Sequence, residues 1–150
     1  VLYSTGEAKS SSPQAFTLTE MMVVIVLVGV LAAIALPIYN RYILQTKASE
    51  AKAVIGAIVA AEKAYAERNG VFLPVRKGDA AEFMNKLRVD VKESSLFDFE
   101  VSEVSGKDAF TVWAWVNGNG VKEGFSSSGY VKYTYRKSEE PRGKWEEKLW

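Results

Sequence analysis

Neither histidine nor cysteine occurs among the 150 residues. The commonest general base and transition-metal ligand is therefore missing, and so is any thiol nucleophile, disulfide or thiolate-held metal. The carboxylates Asp79, Asp90, Asp98 and Asp108 are scattered and do not follow the alternating spacing of a calcium loop. The run Gly118-Asn119-Gly120-Val121-Lys122-Glu123-Gly124 has glycines as a phosphate loop does. It lacks that loop's spacing and following helix, and is expected to be a turn between strands. Tyr39, Tyr42, Tyr65 and Phe72 could be drawn as an electron path, but at helical spacing they are expected as packing or interfacial aromatics. No constellation for catalysis emerges, and no metal or cofactor site is expected. The chain reads as a protein that is not an enzyme. One residue still demands a chemical explanation: Glu20, a lone carboxylate at the threshold of a long apolar run, where a buried charge costs several kcal/mol (roughly 3, by insertion scales) and is usually retained for function.

The elements that must carry Glu20 follow from hydropathy. From Met21 to Asn40 there is no charged residue, and about 20 apolar residues suffice for a helix to cross a bilayer core. Residues 1–15 are polar and rich in small side chains, ending Ser12-Pro13-Gln14-Ala15, and are expected to be a leader or flexible extension. The helix is expected from Phe16, with Thr17 and Thr19 as possible caps and Glu20 suited to the positive end of the dipole. Past Arg41 the pattern becomes amphipathic. Ile43, Ala51, Val54, Ile55, Ile58, Val59, Ala61 and Tyr65 recur at helical spacing, and Lys47, Glu50, Lys52, Glu62, Lys63, Glu67 and Arg68 are assigned to the opposite, solvated face. Asn69-Gly70 is a good C-cap. The sum is a single helix of roughly 80 Å, with hydrophobic residues 16–40 and amphipathic residues 41–69. Pro37 is expected to kink or locally melt it. Gly29 permits close helix–helix approach.

Residues 70–96 read as a connecting region with a short helix, because Asp79-Ala80-Ala81-Glu82 has the form of a capping box. Residues 97–150 read as an antiparallel sheet. Phe97 to Val104 alternates, Phe110 to Val116 is β-branched and aromatic, Tyr130 to Tyr135 alternates again, and Lys144 to Trp150 is a weaker fourth segment. Ser105-Gly106-Lys107-Asp108 is expected as a hairpin turn, and Glu139 to Lys144 as a solvated turn. Trp113 and Trp115 share one strand face and are expected in the sheet core or in an inter-subunit contact. One face of such a sheet needs a cover, and the amphipathic half of the helix can supply it. The fold class is α+β: a long N-terminal helix packed on a small antiparallel sheet head. Lysine and arginine number 19 against 18 acidic residues, so charge indicates no direct nucleic-acid binding.

The stretch Phe16-Thr17-Leu18-Thr19-Glu20, followed by Gly29-Val30-Leu31-Ala32-Ala33-Ile34-Ala35-Leu36-Pro37, closely resembles the N-terminal signature of type IV pilins and pseudopilins. The plan of helix, connecting loop and sheet extends that likeness over residues 16–150. The resemblance implies cleavage between Ala15 and Phe16 by a prepilin peptidase, with methylation of the Phe16 amine. Ala15 stands where the family usually has glycine. It also implies an assembly role for Phe16, Glu20, Gly29 and Pro37, the Glu20 carboxylate pairing with the Phe16 amine of a neighbouring subunit. The residues themselves leave open a simpler role for Glu20, an exposed acid stabilising the helix start. On the resemblance the chain is a structural subunit of a type IV pilus-like filament, a helical homo-oligomer. It would be stored in the bacterial inner membrane and carried to the surface by the pilus assembly machinery. The alternatives are a type II secretion pseudopilin and a membrane-anchored periplasmic binding domain.

Overall fold

The computed structural model describes residues 16–91, 96–139 and 143–150. The expected leader, Ala15 included, lies outside the described residues, as do Glu140, Pro141 and Arg142 of the expected turn. The chain divides into two units, the first ending at Tyr39 and the second running Asn40–Trp150.

Helix α1 spans Leu18–Asn69, 52 residues. It begins two residues later than expected because Thr17 serves as its cap, and the helical assignment continues through Pro37 without the local melting anticipated there. At its other end the Gly70 N–H bonds the Ala66 carbonyl at 2.9 Å, with Gly70 at φ +87°, the left-handed conformation that glycine adopts without steric cost. The side chains of Arg68 and Asn69 fold back on the last turns, donating to the carbonyls of Ala64 and Tyr65.

In the second unit the sheet runs β1 (Phe97–Ser105), β2 (Ala109–Val116), β3 (Tyr130–Arg136) and β4 (Gly143–Lys148), antiparallel throughout and in chain order. Alternation decides what is buried: Phe97, Phe99 and Val101 of β1, Phe110, Val112, Ala114 and Val116 of β2, and Val131 and Tyr135 of β3 form one core with Ala51, Ile55, Ile58 and Val59 of α1. Each large apolar side chain removed from water there contributes about 1.5–3 kcal/mol. The β1–β2 turn is closed by the Asp108 N–H on the Ser105 carbonyl at 2.8 Å. Just before it a bulge puts Glu103 at φ +52°, and its carboxylate accepts from the Thr111 hydroxyl. β4 is an exposed edge carrying Lys144, Glu146 and Glu147, a charged edge that resists pairing with another chain. Lys52 of α1 reaches Glu147 at 2.8 Å.

Three expectations are corrected. Of the two places expected for Trp113 and Trp115, the core is excluded. Phe110, Val112, Ala114 and Val116 take the buried face, so the indoles occupy the opposite one, stacked with centroids 4.7 Å apart. Their N–H groups are held by Ser102 and Glu100 of β1, and Lys132 and Lys77 lie over their rings. The segment after β2 is not a plain turn. Asn117 caps a short helix α3, Gly118–Lys122, its side chain accepting from the N–H groups of Asn119 and Gly120. In the connecting region Asp79 does cap Glu82, but the helix α2 (Ala80–Glu82) gives way to a π-helical turn, Phe83–Leu87, ended by Arg88 at φ +59°.

Gly120 fixes the seat of α3. A Cβ there would lie 2.6 Å from the Leu96 carbonyl oxygen and 2.8 Å from a Val116 methyl, and the same carbonyl already accepts the Asn117 N–H. Gly120→Ala is expected to lower stability by about 1–3 kcal/mol, seen as a lower thermal midpoint. An unchanged midpoint would show that α3 can shift freely.

Candidate functional site

The first turn of α1 is built around Glu20. Thr17 donates to Glu20 Oε2 twice, from its backbone N–H and from its hydroxyl, each at 2.8 Å, and the Glu20 N–H returns a bond to Thr17 Oγ1 at 3.2 Å. This is a reciprocal capping box, with Thr17 as cap and Glu20 at the third helical position. The simpler role considered for Glu20 is therefore present in the structure. Both accepted bonds fall on Oε2, which leaves the lone pairs of Oε1 for another donor.

From Phe16 through Ile38 the large apolar side chains are exposed, Phe16 at 76% and Leu31 at 66%. Among the described residues there is one helix long and apolar enough to cross a membrane, and its most apolar stretch has no buried residue. Gly29 has nothing within 4 Å of the place a Cβ would occupy. An uncovered apolar surface of this extent needs lipid or other apolar helices around it, because water penalises each exposed methylene.

Glu62 was assigned to the solvated face of α1, and the structure overturns that. It is fully buried, on the stripe that also carries Ile55, Ile58, Val59 and Ala66. Its Oε2 accepts the Leu73 N–H at 2.9 Å, while Oε1 has no partner among the described residues. Burial pushes its carboxyl up from the ordinary value to about 7, with the Leu73 N–H opposing. The signal that could have found it is spacing: residue 62 continues the three- and four-residue rhythm of the buried positions, and residue type masked it.

The remaining candidates resolve structurally. Tyr39 and Tyr42 are exposed, and Phe72 lies in the core. Among the described residues no group of acidic side chains is placed to hold a metal.

Comparison with known proteins places the N-terminal segment. Residues 11–36 match the prokaryotic N-terminal methylation motif, the stretch that includes Phe16, Glu20 and Gly29. The resemblance to type IV pilins is borne out by relatives of that class. The chain is 30% identical over 91 residues to the type IV major pilin protein PilA of Myxococcus xanthus, covering 61% of this chain and 38% of that protein. It is 44% identical over 57 residues to fimbrial protein EcpC of Eikenella corrodens, covering 38% of this chain and 37% of that one. It is 50% identical over 40 residues to the type IV major fimbrial protein FimA of Dichelobacter nodosus, covering 27% and 25%. The matches thus span well under half of each relative.

Proposed function

We propose that this chain is a structural subunit of an extracellular type IV pilus-like filament. The observation that carries the reading is the uncovered apolar stretch of α1, most of which falls in a methylation motif. Such a helix satisfies its own backbone and can rest in a bilayer or in a dry helical core. Passage between the two changes apolar burial little, which suits reversible assembly. In this reading a prepilin peptidase cuts between Ala15 and Phe16, and the Phe16 amine is methylated. That amine then pairs with Glu20 of a neighbouring subunit through the lone pairs left on Oε1. Gly29 allows close helix contact, and Pro37 is a point where helical regularity is given up on assembly. The subunit is held in the inner membrane before export and has no catalytic role. A type II secretion pseudopilin shares the helix, but the pilin and fimbrial names of the relatives favour the pilus.

The test is to shear cells, collect the released fibres and measure the intact mass of this protein. A species starting at Phe16 and about 14 Da heavy, the gain when one methyl group replaces a hydrogen, is expected. A protein that stays wholly with the membrane sinks the filament reading. Sheared fibres holding a longer species keep the filament but deprive Glu20 of its amine.

A further inference from the structure

Away from the apolar half of α1, three lysines converge from three elements of the second unit. Lys63 projects from the last turns of α1, Lys107 from the β1–β2 turn and Lys137 from the end of β3. With Glu67 they surround a depression of about 280 Å³ floored by Phe72 and Tyr135. The floor is fixed: Phe72 is 4% and Tyr135 7% exposed, and both rings pack on Phe110.

The walls are tied by hydrogen bonds between backbones. The Phe72 N–H bonds the Gly106 carbonyl at 2.9 Å, holding the Lys107 turn against the floor, and the Lys137 N–H bonds the Asp108 carbonyl at 2.8 Å. The Leu73 N–H on Glu62 secures the residue beyond Phe72. Lys63 Nζ stands over the Tyr135 ring, 4.7 Å from its centroid.

Among the described residues none of the three lysines forms an ion pair, although Lys47, Lys52, Lys132 and Lys144 do. Three ammonium groups against the Glu67 carboxylate leave a local excess of positive charge in a chain whose net charge is +1.

We infer that this depression is an anion-binding site for a phosphate monoester, the doubly charged oxyanion whose charge matches that excess. Lysine binds phosphate as a mobile point charge with several donors, and the buried rings of Phe72 and Tyr135 give the depression a rigid base. The cluster is compact, which suits one such group in place of a polymer that would need a long basic track.

The test uses the full chain in zwitterionic detergent at low salt, titrated with phenyl phosphate by calorimetry, with inorganic phosphate and sodium chloride in parallel. Saturable binding of one phenyl phosphate per chain is expected. It should weaken about tenfold or more on removing two charge-assisted donors in the Lys107→Gln, Lys137→Gln double variant, and stay unchanged in Lys148→Gln. Saturable heat with either phosphate and none with sodium chloride is the mark of a phosphate site. Heat that never saturates, or a double variant that binds as the parent does, overturns the site. Filament formation plays no part in these readouts, so the two proposals fail separately.

Discussion

Glu62→Gln is expected to make the chain more stable above neutrality by up to about 3 kcal/mol, and to remove part of its pH dependence. The carboxyl titrates near 7 when folded, against 4.5 as its ordinary value. Between those values the folded chain holds a proton that the unfolded chain has released. The contribution of Glu62 is therefore fully present below pH 4.5, falls as pH rises, and is lost above the folded value. Glutamine mimics the protonated acid: its amide oxygen still accepts the Leu73 N–H, and its NH₂ replaces the unpartnered Oε1. Exposed acids such as Glu139 and Glu146, held low by Arg136 and Tyr130 respectively, titrate alike in both proteins and cancel. The measurement is denaturant unfolding of parent and variant at about pH 4.5, 6 and 8, reading their difference. A difference that does not grow with pH would mean that water or a local opening already relieves the buried charge.

Glu20 carries the second large effect, and the capping box supplies the means of dissecting it. Glu20→Ala removes both the carboxylate and the bonds to Thr17, whereas Glu20→Gln removes the charge while keeping a side chain that can close a capping box. If the carboxylate pairs with a neighbour's Phe16 amine in the dry core of a filament, both variants are expected to vanish from sheared fibres. The loss should be about 100-fold, since stripping one partner from a buried ion pair costs roughly 3 kcal/mol or more. Membrane levels should be unchanged. If Gln enters filaments at parental levels and Ala does not, the residue acts through the helix start alone, and the pairing is wrong. Immunoblots of sheared and membrane fractions separate the outcomes.

The long helix and the strands were legible from residue order. The uncharged run after Glu20 and the rhythm of Ile55, Ile58 and Val59 gave α1 nearly to its ends, and alternation at Phe97 and Tyr130, with β-branched and aromatic content at Phe110, gave the strands to within two residues or so. The capping pair at Asp79 was also readable, because that side chain acts on backbone three residues away, whereas Thr17 was one of two candidate caps and its pairing with Glu20 was not read. Failures came where tertiary packing overrode residue type. Glu62 has the chemistry of a surface residue and the position of a core one, and position won because its neighbours on the stripe must face the sheet. Trp113 and Trp115 look like core by size, yet strand parity sent the smaller Val112 and Ala114 inward and the indoles outward. The helical turn after Asn117 depends on Gly120 fitting beneath the Leu96 carbonyl, a contact between positions far apart in the chain, so the glycines alone suggested only a turn. At the candidate site Glu20 was found by the incongruity of its charge. The lysine-lined depression was invisible, because its members come from three separate elements.

The order of the sheet has a kinetic side. Every strand pairs with its immediate predecessor along the chain, so each new strand finds its partner already present, and no pairing needs a distant segment to be gathered first. Loop-closure entropy is then met in short steps, the circumstance that lets a β topology form quickly. The span of time in which unpaired edges are open to neighbouring copies is correspondingly brief. For a protein that would be concentrated beside identical chains, that brevity guards against wrong association before the charged β4 edge is in place.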